Sequence, residues 1–593
     1  MTPLVSQPNG NNDHRTSSVH VDFRLYLAPD SIRDKNAFPS AKRRSGERAI
    51  LVFSVGEQKI SSCLIARGLQ SAKARWSGLH SAIVSRSPSR SFEESHMRCR
   101  RLEIGGFVAR SLFQTQTIQC PGKQLIPVKG DSGSSEDCLT VNIFRPKGIK
   151  GKLPVAIYVH GGAYNRGTAS MHNTASMVGW SDKPFIGATF NYRIGALGFL
   201  PSTITAEEDI LNLGLHDQIL LFKWVQDTIE AFGGDPTQVT LFGLSAGAHS
   251  IAHHIMNNDL GHTFFHRAMI ESGAATSRAV HPYNARLHED QFREFVEAAG
   301  CKDSPSTAVM SCLRSQPSDS VINASFTVFD RYNPSVRWAF QPVIDGNLIK
   351  QRPIDAWKSG KWNRVPILTG FNTNEGTYYV PRTMSRPEEF TEFFRTLLPA
   401  YSEKDIRTID TLYPDPATDP SSPYVETRDI PVGPQYKRVE AAYGHYAYAC
   451  PVRQTATFAS QGQKEPVFLY RWALNKTVLT GANHGDQMPY ETFNPEVRGF
   501  SPAQEEVAGM LHAYFTSFIV GGDPNTVPGR YPHRPAWGNY DASAEEGKRI
   551  MVFGEGNDER AGGGHVGVLA QMVEDEWSRM ECDFWWTKAG TSD

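Results

Sequence analysis

From about residue 102 onward, short apolar runs alternate with stretches in which apolar residues recur at helical spacing. Residues 154–160 (PVAIYVH) read as a buried strand that stops at Gly161-Gly162, and 185–191 read as another. Leu215, Ile219, Leu220, Trp224 and Ile229 mark one face of a helix over 213–231, which Gly233-Gly234 ends. Residues 239–242 then predict a strand, 246–255 a helix, and 266–271 the next strand. Further strands are expected at 366–371, 467–472 and 549–553, with a helix over 501–519. Strands alternating with helices indicate a parallel or mixed α/β sheet, and no repeat or Pro/Gly-rich linker divides it.

The first hundred residues lack this texture. Residues 1–101 carry 17 Lys+Arg against 8 Asp+Glu, together with 17 Ser, in strings such as Ser85-Arg86-Ser87-Pro88-Ser89-Arg90-Ser91. Such a segment buries too little apolar surface to offset chain entropy, so the expectation is a solvated basic tail over 1–101 followed by one domain over 102–593. A nuclear-targeting or nucleic-acid-binding arm is the sharper reading, but short basic clusters recur in many unrelated tails, and the plain reading is preferred. Residues 49–55 form a short apolar run read as a stray strand. Met1 to Asn12 is polar and lacks the order of a signal peptide.

Over all 593 residues, 40% apolar and 21% charged is the composition of a globular chain with ample core material. It excludes a collagen-like or wholly disordered chain, and eight Cys are too sparse for a disulfide-knot miniprotein. No run approaches the length of a transmembrane helix. A net charge of −1 argues for neither nucleic acid nor a charged membrane surface as partner.

Chemistry concentrates at Gly243-Leu244-Ser245-Ala246-Gly247, between a predicted strand and a predicted helix. A Gly-x-Ser-x-Gly string is common by itself, but in this context it predicts a nucleophile elbow that exposes the Ser245 hydroxyl above the sheet. The Ala246 N–H, at a helix N-terminus, can face a developing oxyanion. A serine hydroxyl needs a base and an orienting acid, which follow in the order acid, then His, in an α/β-hydrolase. Of 19 His, His484 stands in a Gly-containing loop after the 467–472 strand, and Glu375 lies just past the 366–371 strand. Each alone would be read as a solvated loop residue; position after a strand and order along the chain single them out.

Longer motifs then carry a family resemblance. Glu136-Asp137-Cys138-Leu139-Thr140-Val141-Asn142-Ile143-Phe144-Arg145-Pro146 and the segment 232–247 resemble the two signatures of the type-B carboxylesterases, which include cholinesterases and some fungal lipases. His160-Gly161-Gly162-Ala163-Tyr164 resembles their oxyanion loop, and 191–199 and Gly521-Gly522-Asp523-Pro524-Asn525 also fit, so the likeness runs from about Cys120 to Phe553. It implies an α/β-hydrolase fold, with long loop and helical insertions forming a substrate gorge. It also implies a Ser245–His484–Glu375 triad and an oxyanion hole from the N–H groups of Gly162, Ala163 and Ala246, with no metal or organic cofactor. It further implies bridges Cys301–Cys312 and Cys138–Cys120, which would suit a secretory route; a cytosolic chain would keep them as thiols. On that route Asn323 and Asn475 head possible glycosylation sequons. The family's N-terminal sheet and the Arg that pairs with its Glu136 equivalent have no recognisable counterpart in 1–119.

The expected function is therefore hydrolysis of a small-molecule carboxylic ester through an acyl-enzyme. A biosynthetic acyltransferase or lactone hydrolase on the same triad is the first alternative, and a non-catalytic adhesion or scaffold protein on this fold is the second. Against the second, all three triad residues are present. Cholinesterases place a Glu before the nucleophile and another three residues after the His, where this chain has Leu244 and Gln487. They also carry a Trp in the first disulfide loop, and 120–138 has none. These departures remove partners for a quaternary ammonium and predict a preference for neutral esters.

Overall fold

Apolar runs buried on both faces become the strands of one sheet with the order β1-β2-β3-β5-β4-β6-β7-β8-β9-β10-β11. The strands are β1 (Phe23–Tyr26), β2 (Ile50–Val55), β3 (Val141–Pro146), β4 (Leu153–Val159), β5 (Ile186–Phe190) and β6 (Gly234–Leu244). They continue with β7 (Arg267–Glu271), β8 (Ile367–Asn372), β9 (Val467–Trp472), β10 (Arg549–Asn557) and β11 (Val566–Glu574). The computed structural model describes residues 23–26 and 50–55 (as backbone), 118–123, 133–257, 264–278, 280–332, 337–426, 430–475, 481–544, 546–557 and 566–591. Neighbours from β5 through β4 to β10 are parallel, and the pairs at both ends are antiparallel. The stretch read as a solvated tail thus supplies two strands, and the apolar run at 49–55 is β2, paired with β3. The rest of 1–101 lies outside the described residues.

Side chains alternate between two cores. Val155, Ile157 and Val159 of β4 join one cluster, and Ala156 and Tyr158 join the other. The first cluster is closed by α1 (Leu213–Thr228) and α2 (Ala246–Met256), through Leu215, Phe222, Ile251 and Ile255. Two amphipathic helices not read in the sequence, α3 (Arg286–Ala298) and α4 (Ser318–Arg331), form the first insertion. A second insertion holds α5 (Pro387–Leu397), α6 (Glu403–Leu412) and α7 (Tyr436–Gly444). A π-helical segment (His445–Ala449) runs on into α8 (Cys450–Gly462). Phe390, Phe394, Ile409, Tyr443 and Trp585 build a third, aromatic cluster there. The second sheet face is closed by α9 (Pro502–Gly521), through Val507, Leu511, Phe515 and Phe518. Among the described residues no helix is long and apolar enough to cross a membrane.

The bridges Cys120–Cys138 and Cys301–Cys312 form as the resemblance implied. A third, Cys450–Cys582, was not anticipated; it ties the start of α8 to α10 (Arg579–Thr587) across 132 residues. Closing so long a loop restricts the unfolded chain by about 5 kcal/mol on the chain-entropy argument. Glu136, left without a partner in the sequence, accepts a hydrogen bond from Ser318 Oγ. Asn323 is exposed on α4 beside buried Ala324 and Ser325, while the sequon at Asn475 runs into residues outside the described ones.

Burial also sets the protein's response to acid. It lowers His160, His253 and His512 to about 4, and His172, His254, His288 and His445 to about 3. Each folded value lies below the unfolded 6.5, so each neutral imidazole supports the fold fully above that pH and ceases to do so as pH falls toward the folded value. The loss approaches ~1.4 kcal/mol per group for each unit below 6.5, against a total stability on the order of 5–15 kcal/mol. The expected result is a steep fall in melting temperature from pH 7 to pH 5, read by calorimetry. A melting temperature flat over that range would contradict it.

Candidate active site

The site lies at the carboxyl ends of β6, β8 and β9, where an open α/β sheet leaves its crevice. Ser245 follows β6 directly at φ 61°, ψ −124°, a backbone state that strongly favours glycine. The flanking glycines permit the turn, because a Cβ on Gly247 would stand 1.9 Å from Val159 O and one on Gly243 2.5 Å from the same atom. Ser245 N–H donates to Glu271 O at 2.9 Å, which ties the elbow to β7.

Opposite Ser245, Gly161 to Tyr164 pack so closely that a Cβ on Gly161 would lie 3.0 Å from Ser245 Cβ. Gly162, Ala163 and Tyr164 all have positive φ, at 115°, 56° and 59°. Their carbonyls are engaged away from one another's N–H groups. Gly161 O meets His160 Nδ1 at 3.0 Å, and Gly162 O accepts from the N–H of Asn165 and Arg166. Ala163 O accepts from Asn165 Nδ2 at 2.9 Å and Gln341 Nε2 at 3.0 Å. In a trans peptide the N–H points opposite its carbonyl, so these bonds fix the direction of the Gly162 and Ala163 N–H groups.

Glu375 and His484 meet. His484 Nδ1 lies 2.5 Å from Glu375 Oε2, with both side chains buried, and Glu375 Oε1 accepts the Asn372 N–H at 2.6 Å. A carboxylate facing Nδ1 holds the proton there and leaves Nε2 as the acceptor. His484 Nε2 is buried and has no hydrogen-bond partner among the described residues. The two loops are laced together: Asn374 N–H donates to Ala482 O, Ala482 N–H to Asn374 Oδ1, and Asn372 Nδ2 to Asn483 O. The loop then turns at Gly485, where a Cβ would come 3.1 Å from Leu244 Cδ2. The structure therefore gathers Ser245, the Gly161–Tyr164 loop, His484 and Glu375 in one place.

Several neighbours escaped the sequence reading. The π turn sets Tyr448 with its ring 4.5 Å from the His484 ring, and Tyr379 lies edge-on at 5.3 Å. Gln487 is not a pocket residue. It is wholly buried, accepts from Asn372 Nδ2 at 2.9 Å and donates to Glu271 Oε2 at 3.1 Å. Burial, reinforced by the nearby Glu491, drives Glu271 well above the usual carboxylate range, and burial raises Glu491 itself to about 7. Glu491 in turn lies 3.2 Å from neutral His172. Beneath the elbow there is thus an acid pair in which Glu271 is held protonated and Glu491 is raised to about 7. Among the described residues no cluster of His, Cys, Asp and Glu could hold a metal ion.

The Carboxylesterase family profile matches residues 111–585. The chain is 36% identical over 425 residues to Secreted lipase 4 of Gibberella zeae, spanning 70% of this chain and 74% of that protein. It is 30% identical over 439 residues to Lipase 2 of Geotrichum candidum, spanning 71% and 74%. In three dimensions it resembles the crystal structure of Aspergillus niger EstA. The TM-score is 0.66 at 25% identity, covering 82% of this chain and 89% of that one.

Proposed function

The chain belongs to the carboxylesterase family and is a carboxylic ester hydrolase, and from that premise we propose that it works through Ser245, His484 and Glu375 by way of an acyl-enzyme. The observation that carries this reading is the orientation of His484: Glu375 holds Nδ1, while the buried Nε2 is unengaged in a loop packed against the residue before Ser245. Ser245 Oγ attacks the ester carbonyl as Nε2 takes its proton. The N–H groups of Gly162, Ala163 and Ala246 receive the oxyanion, and His484 returns the proton to the departing alcohol. Water then repeats the sequence on the acyl-enzyme and releases the acid. Glu375 keeps the imidazole in the required tautomer and stabilises its cation.

The substrates are proposed to be esters without a cationic group. Leu244 presents an apolar side chain where cholinesterases have a Glu, Gln487 is committed to a buried bridge, and burial holds Glu271 beneath it protonated. Nothing in these positions repays a quaternary ammonium for leaving water. Three disulfides fit residence in an oxidising compartment.

An aryl organophosphonate tests the nucleophile and the activity together. One equivalent is expected to abolish turnover, with peptide mapping placing the phosphonyl group on Ser245. Complete inhibition with the adduct on another residue, or turnover that persists in fully labelled protein, would remove the mechanism.

A further inference from the structure

A cavity of about 280 Å³ opens on the far side of Tyr448 from His484; Ser245 and His484 are not in its lining, but residues adjoining them are. Tyr164, which ends the loop facing the nucleophile, forms part of its wall. So does His249, whose N–H donates to Ser245 O at 2.8 Å one turn into α2. No residue of its lining is Asp or Glu, whereas Arg278, Arg337 and Arg286 all contribute to it. Arg286 is almost fully exposed and faces Asp290. Arg278 is different. Its guanidinium stands 3.9 Å above the Trp338 ring and 5.4 Å from the Tyr448 ring, and it donates to Tyr448 Oη. Its Nε is buried without a hydrogen-bond partner, and no carboxylate pairs with it among the described residues. Tyr448 is the same ring that packs on His484, so one aromatic side chain separates this cation from the catalytic base.

A guanidinium partly withdrawn from water is penalised unless it is paired, and aromatic faces with one phenol hydrogen bond satisfy the half-buried Arg278 only in part. Arg278 and Arg337 also both sit at positive φ, 65° and 60°, where non-glycine residues are rare. Two arginines at positive φ thus line one cavity whose described lining holds no carboxylate. Burial and the Arg278 charge drive His249 well below its ordinary value, so it stays neutral and leaves Arg278 as the half-buried cation of that lining.

We propose that this cavity, joined to the Ser245 site through Tyr164, His249 and Tyr448, receives a carboxylate carried by the ester itself, with the Arg278 guanidinium as its partner, so that the preferred substrates are esters bearing a free carboxylate. The Nε hydrogen and the remaining Nη hydrogens can make the paired bonds a carboxylate takes from Arg. This inference rests on the ester-hydrolase reading of the Ser245 site and goes beyond it, because it ranks anionic esters above neutral ones.

The test compares kcat/KM within two matched series. One holds a butyryl group and varies the alcohol: choline, 3,3-dimethylbutanol, and the analogue in which one terminal methyl is a carboxylate. The other holds ethanol and varies the acid, monoethyl glutarate against ethyl valerate. In at least one series the carboxylate ester is expected to lead its neutral partner by about tenfold or more. That ratio should collapse toward one in Arg278→Met and take an intermediate value in Arg278→Lys. Inhibition of the unaltered enzyme gives a measure independent of variant folding: glutarate should compete more strongly than glutaramide. Neutral esters leading in both series, or a ratio unchanged in Arg278→Met, would overturn the proposal and make Arg278 a packing residue. Choline ester leading its neutral isostere would instead overturn the non-cationic reading, and failure of every ester would overturn the proposed reaction itself.

Discussion

Replacing Ser245 by Ala is expected to lower kcat on a short-chain ester by about 10⁶-fold, with the protein still folded. The variant removes one oxygen from a site otherwise unchanged. Ala keeps a Cβ at the same positive φ, the glycine contacts at 243 and 247 remain, and the Ser245 N–H bond to Glu271 O belongs to the backbone. The remaining donors can still act on a docked ester attacked by solvent water, so a residual rate of about 10³–10⁴-fold over the uncatalysed reaction is compatible with the mechanism. Turnover near that of the unaltered enzyme, with a matching melting temperature, would mean that another group attacks the carbonyl.

Glu375→Gln is expected to lower kcat by about 10⁴-fold for a reason specific to this geometry. Glu375 Oε1 accepts the Asn372 N–H, and Oε2 faces His484 Nδ1. A glutamine must offer its carbonyl to the Asn372 N–H, because that buried donor would otherwise be unsatisfied. Its NH₂ then faces Nδ1 and donates to it. The imidazole is forced to carry its proton on Nε2, where it cannot accept one from Ser245. The side chain keeps its size, so the melting temperature should move little while the pre-steady-state acylation rate falls. An unaltered acylation rate would show that Glu375 does not set the tautomer.

The parts of the molecule legible in its sequence are those whose requirements are local. Runs such as 154–160 and 467–472 must be central strands because both faces are apolar, and the close passage of β4 over α2 admits only glycine at 247. Ser245 was legible for the same reason. Glu375 and His484 were legible only through their order after strands and through family motifs, since nothing adjacent to them in the chain signals that they meet. Helical insertions were implied by the resemblance, but their helices could not be located along the chain. Their stripes, such as Phe390, Phe394 and Leu397, bury against one another rather than on the sheet, and without that partner they read as loop. Tyr448 could not be placed because a π turn shifts the helical register that would have aimed it. Glu271 ends an otherwise apolar strand, and nothing local marks it as protonated. Its neutral state comes from Glu491 and from wholesale burial, which only the folded chain supplies. Cys450 and Cys582 are too far apart along the chain for spacing to pair them.

The backbone at Ser245 bears on how such a chain can change over generations. A side chain at φ 61°, ψ −124° carries about 1–3 kcal/mol of strain that glycine would not, a sizeable share of a protein's total stability. Selection for folding alone therefore pulls position 245 toward glycine, and only the need for a hydroxyl opposes it. If Ser245 is the nucleophile proposed above, a duplicated copy of this gene released from catalysis could gain stability at that very position and become more robust as it became inert. A serine held here against that pull is what its proposed role as nucleophile requires.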